Sequence, residues 1–199
     1  MSFGPQLPLT VSPTPSPRPS PSPSLSLVAL AISPPSPSTA KGTTQSFSVQ
    51  GVFSDNSTVD LTTQVQWHSS VTGVATISAQ GVAFGVGVGT TTISATLGSV
   101  SNTAVLTVGP AVATGLDILP VNAVVPLGTL QPYQATGHFS DGTVADVTSL
   151  VTWESDDAGV ATISLSGLAT TKAIGSTTIR AVLGPVQQST LLTVTAAVL

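Results

Sequence analysis

The sequence contains no cysteine. Disulfide bonds, cysteine-based zinc sites and thiol catalysis are therefore excluded. Charged residues are also scarce, at 6% of the chain, against about 25% in ordinary soluble domains. The four basic residues are scattered along the chain, at Arg18, Lys41, Lys172 and Arg180. A nucleic-acid surface needs clustered cations, so we expect no nucleic-acid partner.

Long apolar runs are missing as well. No run approaches the roughly 20 residues that a membrane-spanning helix needs, so we predict no membrane insertion. The N-terminus, MSFGPQLPLTVSPTPSPRPS, has neither a basic region nor an uninterrupted apolar region. We therefore do not expect it to act as a Sec signal peptide, which leaves a different export route or a trimmed precursor.

Proline is concentrated at the N-terminus, where 11 of the 16 prolines lie within the first 40 residues. Between residues 11 and 26 proline and serine nearly alternate, which predicts extended polyproline II rather than helix or sheet. At about 3.1 Å per residue this stretch would reach on the order of 50 Å. Residues 1–26 are thus a predicted arm whose apolar tip is either a frayed terminus or a peptide that anchors the chain to partner subunits. The candidate anchoring residues are Phe3, Leu7, Leu9 and Val11.

The rest of the chain consists of two copies of one sequence repeat. A shift of 86 positions aligns residues 30–108 with residues 116–194 without a gap and with 34 identities. Two copies of this length predict two tandem domains, residues 27–109 and 113–199, rather than a solenoid of shorter units. The connection GPAV, residues 109–112, is too short for a flexible tether. We therefore expect the two domains to touch or to be held at a restricted angle.

Within each copy the hydrophobic period is two, as in half-buried strands. In QSFSVQGVF, residues 45–53, the side chains of Phe47, Val49 and Phe53 share one face. In QVQWH, residues 64–68, Val65 and Trp67 face inward. Short strands separated by turns with glycine and aspartate predict an antiparallel sandwich in each copy, and no segment has helical spacing.

The hexapeptide GVATIS occurs in both copies, at residues 73–78 and 159–164. It follows the tryptophan strand after a polar turn, and its Val, Ala and Ile are expected to supply core contacts near the indole. Gly81 and Gly167 come shortly after it and are predicted to turn the chain into the next strand. We interpret the motif as structural and not catalytic.

Several motifs appear in the same order in both copies: Leu-x-Ile-x-Pro, a glycine, Phe-Ser-Asp, Val-x-Trp-x-Ser, GVATIS and a final Leu-Thr-Val. This order resembles the bacterial Ig-like domain of group 2 (BIG2), over roughly residues 27–196 and without the arm. The resemblance implies an all-β protein of two tandem Ig-like antiparallel β-sandwiches without disulfides. Trp67 and Trp153 would then pack without a cysteine pair beside them. Members of the family occur in bacterial surface proteins and in phage capsid and tail proteins, and share no active site.

Few residues could support catalysis. A nucleophilic serine or threonine needs a base that a carboxylate orients. Only His68 and His138 could be that base, and neither recurs in the other copy. We predict that both are solvated strand histidines. The sequence therefore predicts no catalytic residue, no cofactor and no enzyme activity.

Two carboxylate pairs recur, Asp55 with Asp60 and Asp141 with Asp146. Aspartate before asparagine or glycine suits a hairpin turn, where its side chain accepts backbone N–H bonds. Calcium requires more oxygen ligands than these pairs offer, so we favour the turn role and predict no metal site. The stretch GVAFGVGVG, residues 81–89, lacks a lysine and precedes a strand, so it is not a phosphate loop.

Two functional hypotheses follow. The first is a phage virion accessory protein, a capsid decoration or fibre, anchored by its arm and displaying Ig-like domains for weak binding to surfaces or cell-surface glycans. Many copies in a homo-oligomeric assembly would supply avidity. The second is a bacterial cell-surface or secreted adhesin, or an extracellular filament subunit whose arm adds a strand to a neighbour. The sequence favours the first, with a virion location, because it explains the missing signal peptide and the spacer.

Overall fold

The computed structural model describes Met1 and residues 25–197, which form two similar sets of ten strands and no helix. The strands of the first set are β1 Leu27–Ser33, β2 Ser38–Ala40, β3 Thr44–Ser46, β4 Ser48–Phe53, β5 Thr58–Asp60, β6 Gln66–Ser69, β7 Ala75–Ile77, β8 Val82–Gly85, β9 Gly89–Leu97 and β10 Val100–Gly109. The strands of the second set are β11 Ala113–Leu119, β12 Ala123–Pro126, β13 Leu130–Pro132, β14 Gln134–Phe139, β15 Val144–Asp146, β16 Thr152–Ser155, β17 Ala161–Ile163, β18 Leu168–Thr171, β19 Gly175–Leu183 and β20 Val186–Thr195.

Both sets have the same topology. In the first domain the sheets have the orders β1–β4–β5, β2–β10–β9–β6 and β3–β8–β7, and the second domain repeats each order ten strands later. The predicted all-β fold of two Ig-like sandwiches is confirmed. Its description as antiparallel holds except for β2 with β10 and β12 with β20, which pair in parallel. The chain leaves β1 through a proline-rich crossing and joins the opposite sheet, where it pairs with the last strand of its domain.

The predicted strand through QSFSVQGVF is interrupted at Phe47. Residues before Phe47 form β3 and pair with β8, whereas residues after it form β4 and pair with β1. The N–H of Phe47 donates to the carbonyl of Gly81 at 2.7 Å. The interruption therefore lets one stretch of alternating residues serve two sheets of the sandwich, while Phe47 and Val49 stay buried in the core between them.

A tryptophan packs in the core of the second domain and against the core of the first. The rings of Phe47 and Trp67 lie 6.2 Å apart and are tilted by 46°, and Tyr133 and Trp153 form the matching pair in the second domain. The indole N–H of Trp67 donates to the carbonyl of Thr62 at 2.8 Å. Such a contact satisfies the one polar atom that the indole would otherwise bury. Trp153 is buried, whereas Trp67 is half-buried.

The GVATIS motif has the predicted structural role. Its alanine, Ala75 in the first copy, is fully buried, and its Val and Ile pack against the same core. Gly81, the turn glycine after it, has φ +76°, a conformation that side chains disfavour. A Cβ on Gly81 would lie 2.6 Å from the carbonyl oxygen of Phe47 and 3.1 Å from the indole of Trp67. Only glycine fits at this position.

Candidate functional site: the interdomain junction

The linker between the domains is held at both ends by hydrogen bonds. At its start, the backbone N–H of Lys41 donates to the carbonyl of Gly109 at 2.9 Å. At its end, the N–H of Ser140 donates to the carbonyl of Val112 at 2.9 Å, and the N–H of Val112 donates to Ser140 Oγ at 3.1 Å. The short connection is therefore part of the hydrogen-bonded structure of both domains.

Ser140 also joins the two domains directly. Its hydroxyl donates to the carbonyl of Lys41 at 2.6 Å while accepting from the linker. Beside it, Lys41 Nζ lies 2.9 Å from Asp141 Oδ2, and the side chain of Asp141 is only 9% exposed. The domains thus touch, as the short linker predicts, and we call this set of contacts the junction: Lys41, Gly42, Val112, Ser140 and Asp141.

Gly42 lets the two backbones approach closely. Its φ is +81°, and a Cβ placed on it would lie 2.2 Å from the carbonyl oxygen of Ser140. Ordinary contacts of a Cβ begin at 3.4 Å. The corresponding glycine of the second domain, Gly128, has φ +89° but open space around the same position. Both glycines therefore suit the same loop conformation, and only Gly42 is also required by a neighbouring domain.

The carboxylate of Asp141 is stabilised in its charged form. Hydrogen bonds from Thr143 and the ammonium of Lys41 lower its pKa from 3.8 to about 2, with the hydroxyl of Thr143 as the largest cause. The hydroxyl donates at 2.6 Å and the backbone N–H of Thr143 at 3.1 Å. Because charged acceptors make stronger hydrogen bonds, Asp141 can hold its own turn and the lysine of the other domain together.

The same turn exists in the first domain without an interdomain partner among the described residues. Asp55 Oδ1 accepts from the hydroxyl and the N–H of Ser57, and these bonds lower the pKa of Asp55. Ser54 bonds to the backbone of Ser26 as Ser140 bonds to Val112. The Phe-Ser-Asp turn therefore fixes the chain that enters each domain, and at the junction it also contacts the preceding domain.

A small depression of about 120 Å³ opens beside the junction. Lys41, Gly42 and Asp141 form its polar side, and Phe84 and Val86 of the first domain form its apolar side. Phe84 is 45% exposed. The glycine-rich stretch 81–89, for which the sequence excluded a phosphate loop, thus contains β8, and its side chains Phe84 and Val86 border the junction.

The two histidines lie on strands, at the surface, as predicted. His68 is exposed on β6 opposite Ser94. His138 lies on β14 with its side chain 44% exposed, but its Nε2 is 2.7 Å from Asp117 Oδ2. The sequence did not identify Asp117, because its contact with His138 depends on the register of β11 against β14. A second pair that the sequence missed joins Arg180 to Asp156 at 3.3 Å.

The recurring aspartates have the predicted turn role. Asp60 accepts the backbone N–H of Thr62 at 2.8 Å, and Asp146 accepts that of Thr148 at 2.9 Å. The threonine hydroxyls, and after them these backbone bonds, lower the pKa of both carboxyls. Among residue 1 and residues 25–197, no group of three or more His, Asp or Glu side chains is placed to hold a metal ion.

The four candidate anchoring residues, Phe3, Leu7, Leu9 and Val11, lie outside the described residues. Anchoring through the arm therefore stays a prediction. In the described part of the chain, no helix is long and apolar enough to cross a membrane.

The fold and the junction define a protein built on two tandem Ig-like β-sandwiches. Residues 29–108 and 112–194 match the family model "Bacterial Ig-like domain (group 2)". The chain belongs to this family, and the resemblance read from its motifs is confirmed.

One curated relative is ice-binding protein 1 of Shewanella frigidimarina (strain NCIMB 400). It is 41% identical over 160 residues, which cover 80% of this chain and 18% of that protein. The chain thus spans less than a fifth of this relative.

Solved structures with a similar fold include domains 4 and 5 of the S-layer protein SbsC, at 23% identity and a TM-score of 0.41 over 76% of this chain and 82% of that one. Extracellular domains 3–5 of Drosophila OTK match at 10% identity and a TM-score of 0.47 over 86% of this chain and 63% of that one.

Proposed function

We propose that the two domains are a structural and adhesive segment of an extracellular bacterial protein, in which they act as one rigid spacer. The junction is the observation that carries this proposal. Ig-like domains joined by a free linker would reorient against each other, since small interfaces between domains allow motion by default. Here the linker is bonded at both ends and Ser140 bonds to both the linker and Lys41. These bonds restrict the reorientation of the two domains, so the distance between the two ends of the segment should vary little.

The relative supports an extracellular bacterial setting over a virion. It is a protein of a bacterium, it is named for binding ice, and its matching region is 18% of its length. A segment of this size that shares 41% identity suits an accessory part of a large surface or secreted protein. The alternative of a bacterial adhesin or filament subunit is thus better supported than the capsid or fibre hypothesis.

The location of the native protein tests this proposal. Native cells, culture medium and purified phage particles would be fractionated, and the polypeptide quantified in each fraction by mass spectrometry. We expect it in the cell envelope or the medium. Enrichment in purified virions would replace the proposal by the virion hypothesis, and a cytoplasmic location would contradict both.

Direct contact with ice is a second candidate function, which one surface of the first domain favours. The solvent face of the β9–β10 hairpin carries hydroxyl side chains at seven of eight positions and no charge. These residues are Thr90, Thr92, Ser94, Thr96, Ser101, Thr103 and Thr107. Strand geometry spaces them at about 4.8 Å between strands and about 6.7 Å along each strand. Such a regular array of hydroxyls and methyls suits the repeating surface of a crystal.

Thermal hysteresis and ice-growth inhibition test this second function. If the first domain binds ice, the full chain slows ice growth, and Thr92→Lys together with Thr103→Lys abolishes the effect. A full chain that is inactive at high concentration would eliminate direct ice contact while leaving the spacer function untouched.

A further inference from the structure

The second domain has a surface groove lined by polar side chains. At the equivalent positions the first domain has different residues. Two depressions of about 310 Å³ and 270 Å³ share the lining residues Gln188 and Ser189. Arg180 and Gln187 line the first depression, and Asp117 lines the second together with the apolar Ile118, Leu119 and Val121. We call this surface the β20 groove. Its depressions are near the lower limit of the volumes that small-molecule sites occupy.

The comparison of the two copies shows how much of this chemistry the fold needs. Four polar positions of the groove have an equivalent 86 residues earlier at which the side chain is smaller. Arg180, Gln187, Gln188 and Asp117 correspond to Ser94, Ser101, Asn102 and Ala31. Because the first domain has the same sheet order with these small residues, the sandwich does not require the larger polar groups.

One of these positions changes from a structural role to an exposed one. In the first domain, Asn102 Nδ2 donates to the carbonyl of Leu30 at 2.6 Å and so ties β10 to β1. In the second domain, Gln188 is exposed, and its Oε1 accepts the N–H of Ser189 at 3.0 Å. Its amide nitrogen has no hydrogen-bond partner among the described residues. Two N–H donors are therefore available at a residue that lines both depressions.

Polar side-chain contacts hold Asp117 and Arg180 at the edges of the groove. His138 is paired with Asp117 at 2.7 Å, and Arg180 with Asp156 at 3.3 Å. Glu154 lies opposite Arg180 across β16 and β19. The groove and its edges therefore carry three carboxylates, Asp117, Glu154 and Asp156, and the one permanent cation Arg180. An anionic ligand would be repelled by this balance, whereas an uncharged ligand would not.

From this chemistry we propose that the β20 groove binds a neutral saccharide. A sugar presents rows of hydroxyls that both donate and accept hydrogen bonds. The groove offers the matching groups, with donors from Arg180 and Gln188, an acceptor at Asp117 and a hydroxyl of both kinds at Ser189. The shallow, exposed surface indicates weak binding by a single copy, strengthened where several copies meet a polysaccharide. This inference names a ligand for the adhesive part of the proposed function and rests on that part, whereas it does not depend on the spacer function.

The experiment is a titration of the full chain, ¹⁵N-labelled, with neutral oligosaccharides of glucose, mannose and N-acetylhexosamines, and with uronic-acid oligosaccharides of equal length. We expect at least one neutral oligosaccharide to shift the amide signals of residues 187–189 and 180. We expect the uronic-acid series to bind at least about tenfold more weakly. Shifts confined to the first domain, tighter binding of the acidic series, or no binding in either series would overturn the proposal.

Variants in which groove residues are replaced by the equivalent residues of the first domain provide a second test. The triple variant Arg180→Ser, Gln187→Ser, Gln188→Asn carries the side chains that the equivalent strands already accommodate, so it should fold. We expect it to lose at least about tenfold in affinity, and Gln188→Asn alone to lose part of that. The matched control removes an exposed glutamine elsewhere, Gln66→Ser on β6. Equal affinity of the parent and the triple variant, with unchanged melting temperature, would also refute the site.

Discussion

Replacing Gly42 by alanine should break the junction without unfolding either domain. A left-handed φ costs an L-residue roughly 1–2 kcal/mol, which the first domain would lose in stability. The new Cβ would also lie 2.2 Å from the carbonyl of Ser140, so the two backbones must separate by about 1 Å or more to reach ordinary contact. That movement removes the 2.6 Å hydrogen bond from Ser140 to Lys41, worth about 1 kcal/mol. Small-angle X-ray scattering should then report a broader range of interdomain orientations.

Gly128→Ala is the matched control. It introduces the same backbone strain at φ +89°, but its Cβ would meet nothing within 4 Å. We expect a similar loss of stability, now in the second domain, and a scattering profile that matches the parent. Denaturant unfolding followed at each domain's single tryptophan separates the two effects. Identical scattering from the two variants would refute the close approach at the junction, and so would a Gly42→Ala protein as stable and as rigid as the parent.

Three further predictions concern the cores and the pH dependence of the junction. The hydroxyl of Tyr133 is buried without a hydrogen-bond partner among the described residues, and burial raises its pKa to about 12. Tyr133→Phe should therefore stabilise the second domain by about 1–3 kcal/mol, and Phe47→Tyr should destabilise the first. A Tyr133→Phe protein that melts at a lower temperature would show that the hydroxyl has a partner. Trp153→Ala should cost its domain about 3–5 kcal/mol in denaturant unfolding. Trp67→Ala should cost less because its indole is half-buried, and equal melting of parent and variants would disprove the core assignment. Because the pKa of Asp141 is lowered from 3.8 to about 2, its contribution to stability is complete above 3.8 and is lost as the pH falls through about 2. A carboxyl titration by NMR with its midpoint at 3.8 would contradict this.

The strand pattern was predictable because it follows from local rules. The period of two, the tryptophan strand and the turn glycine Gly81 each depend on neighbours that the sequence itself places nearby. The repeat also helped, because it shows two residues for each structural position, one in each copy. The interruption at Phe47 was not predictable from that pattern, because the alternation continues unchanged while the chain moves from one sheet to the other.

The junction could not be predicted from either copy alone. Its central hydrogen bond joins Ser140 to Lys41, which are 99 positions apart in different domains. Lys41 is one of the positions at which the two copies differ, since the equivalent residue is Leu127. The difference is a signal in retrospect, but only the three-dimensional arrangement shows that the lysine reaches Asp141. The pair of His138 with Asp117 escaped prediction in a similar way, because it needed the strand register.

The most direct test of a rigid two-domain spacer is the distribution of distances between the domains in solution. The chain has no cysteine of its own. Spin labels attached to the double variant Thr103→Cys, Thr152→Cys would therefore react at these two exposed positions and nowhere else. Pulsed electron–electron double resonance should give one narrow distribution of distances between the labels. The distribution should broaden when Ser140→Ala and Lys41→Met are added. A broad distribution in the labelled parent would contradict the account, because the domains would then move freely in spite of the bonded linker.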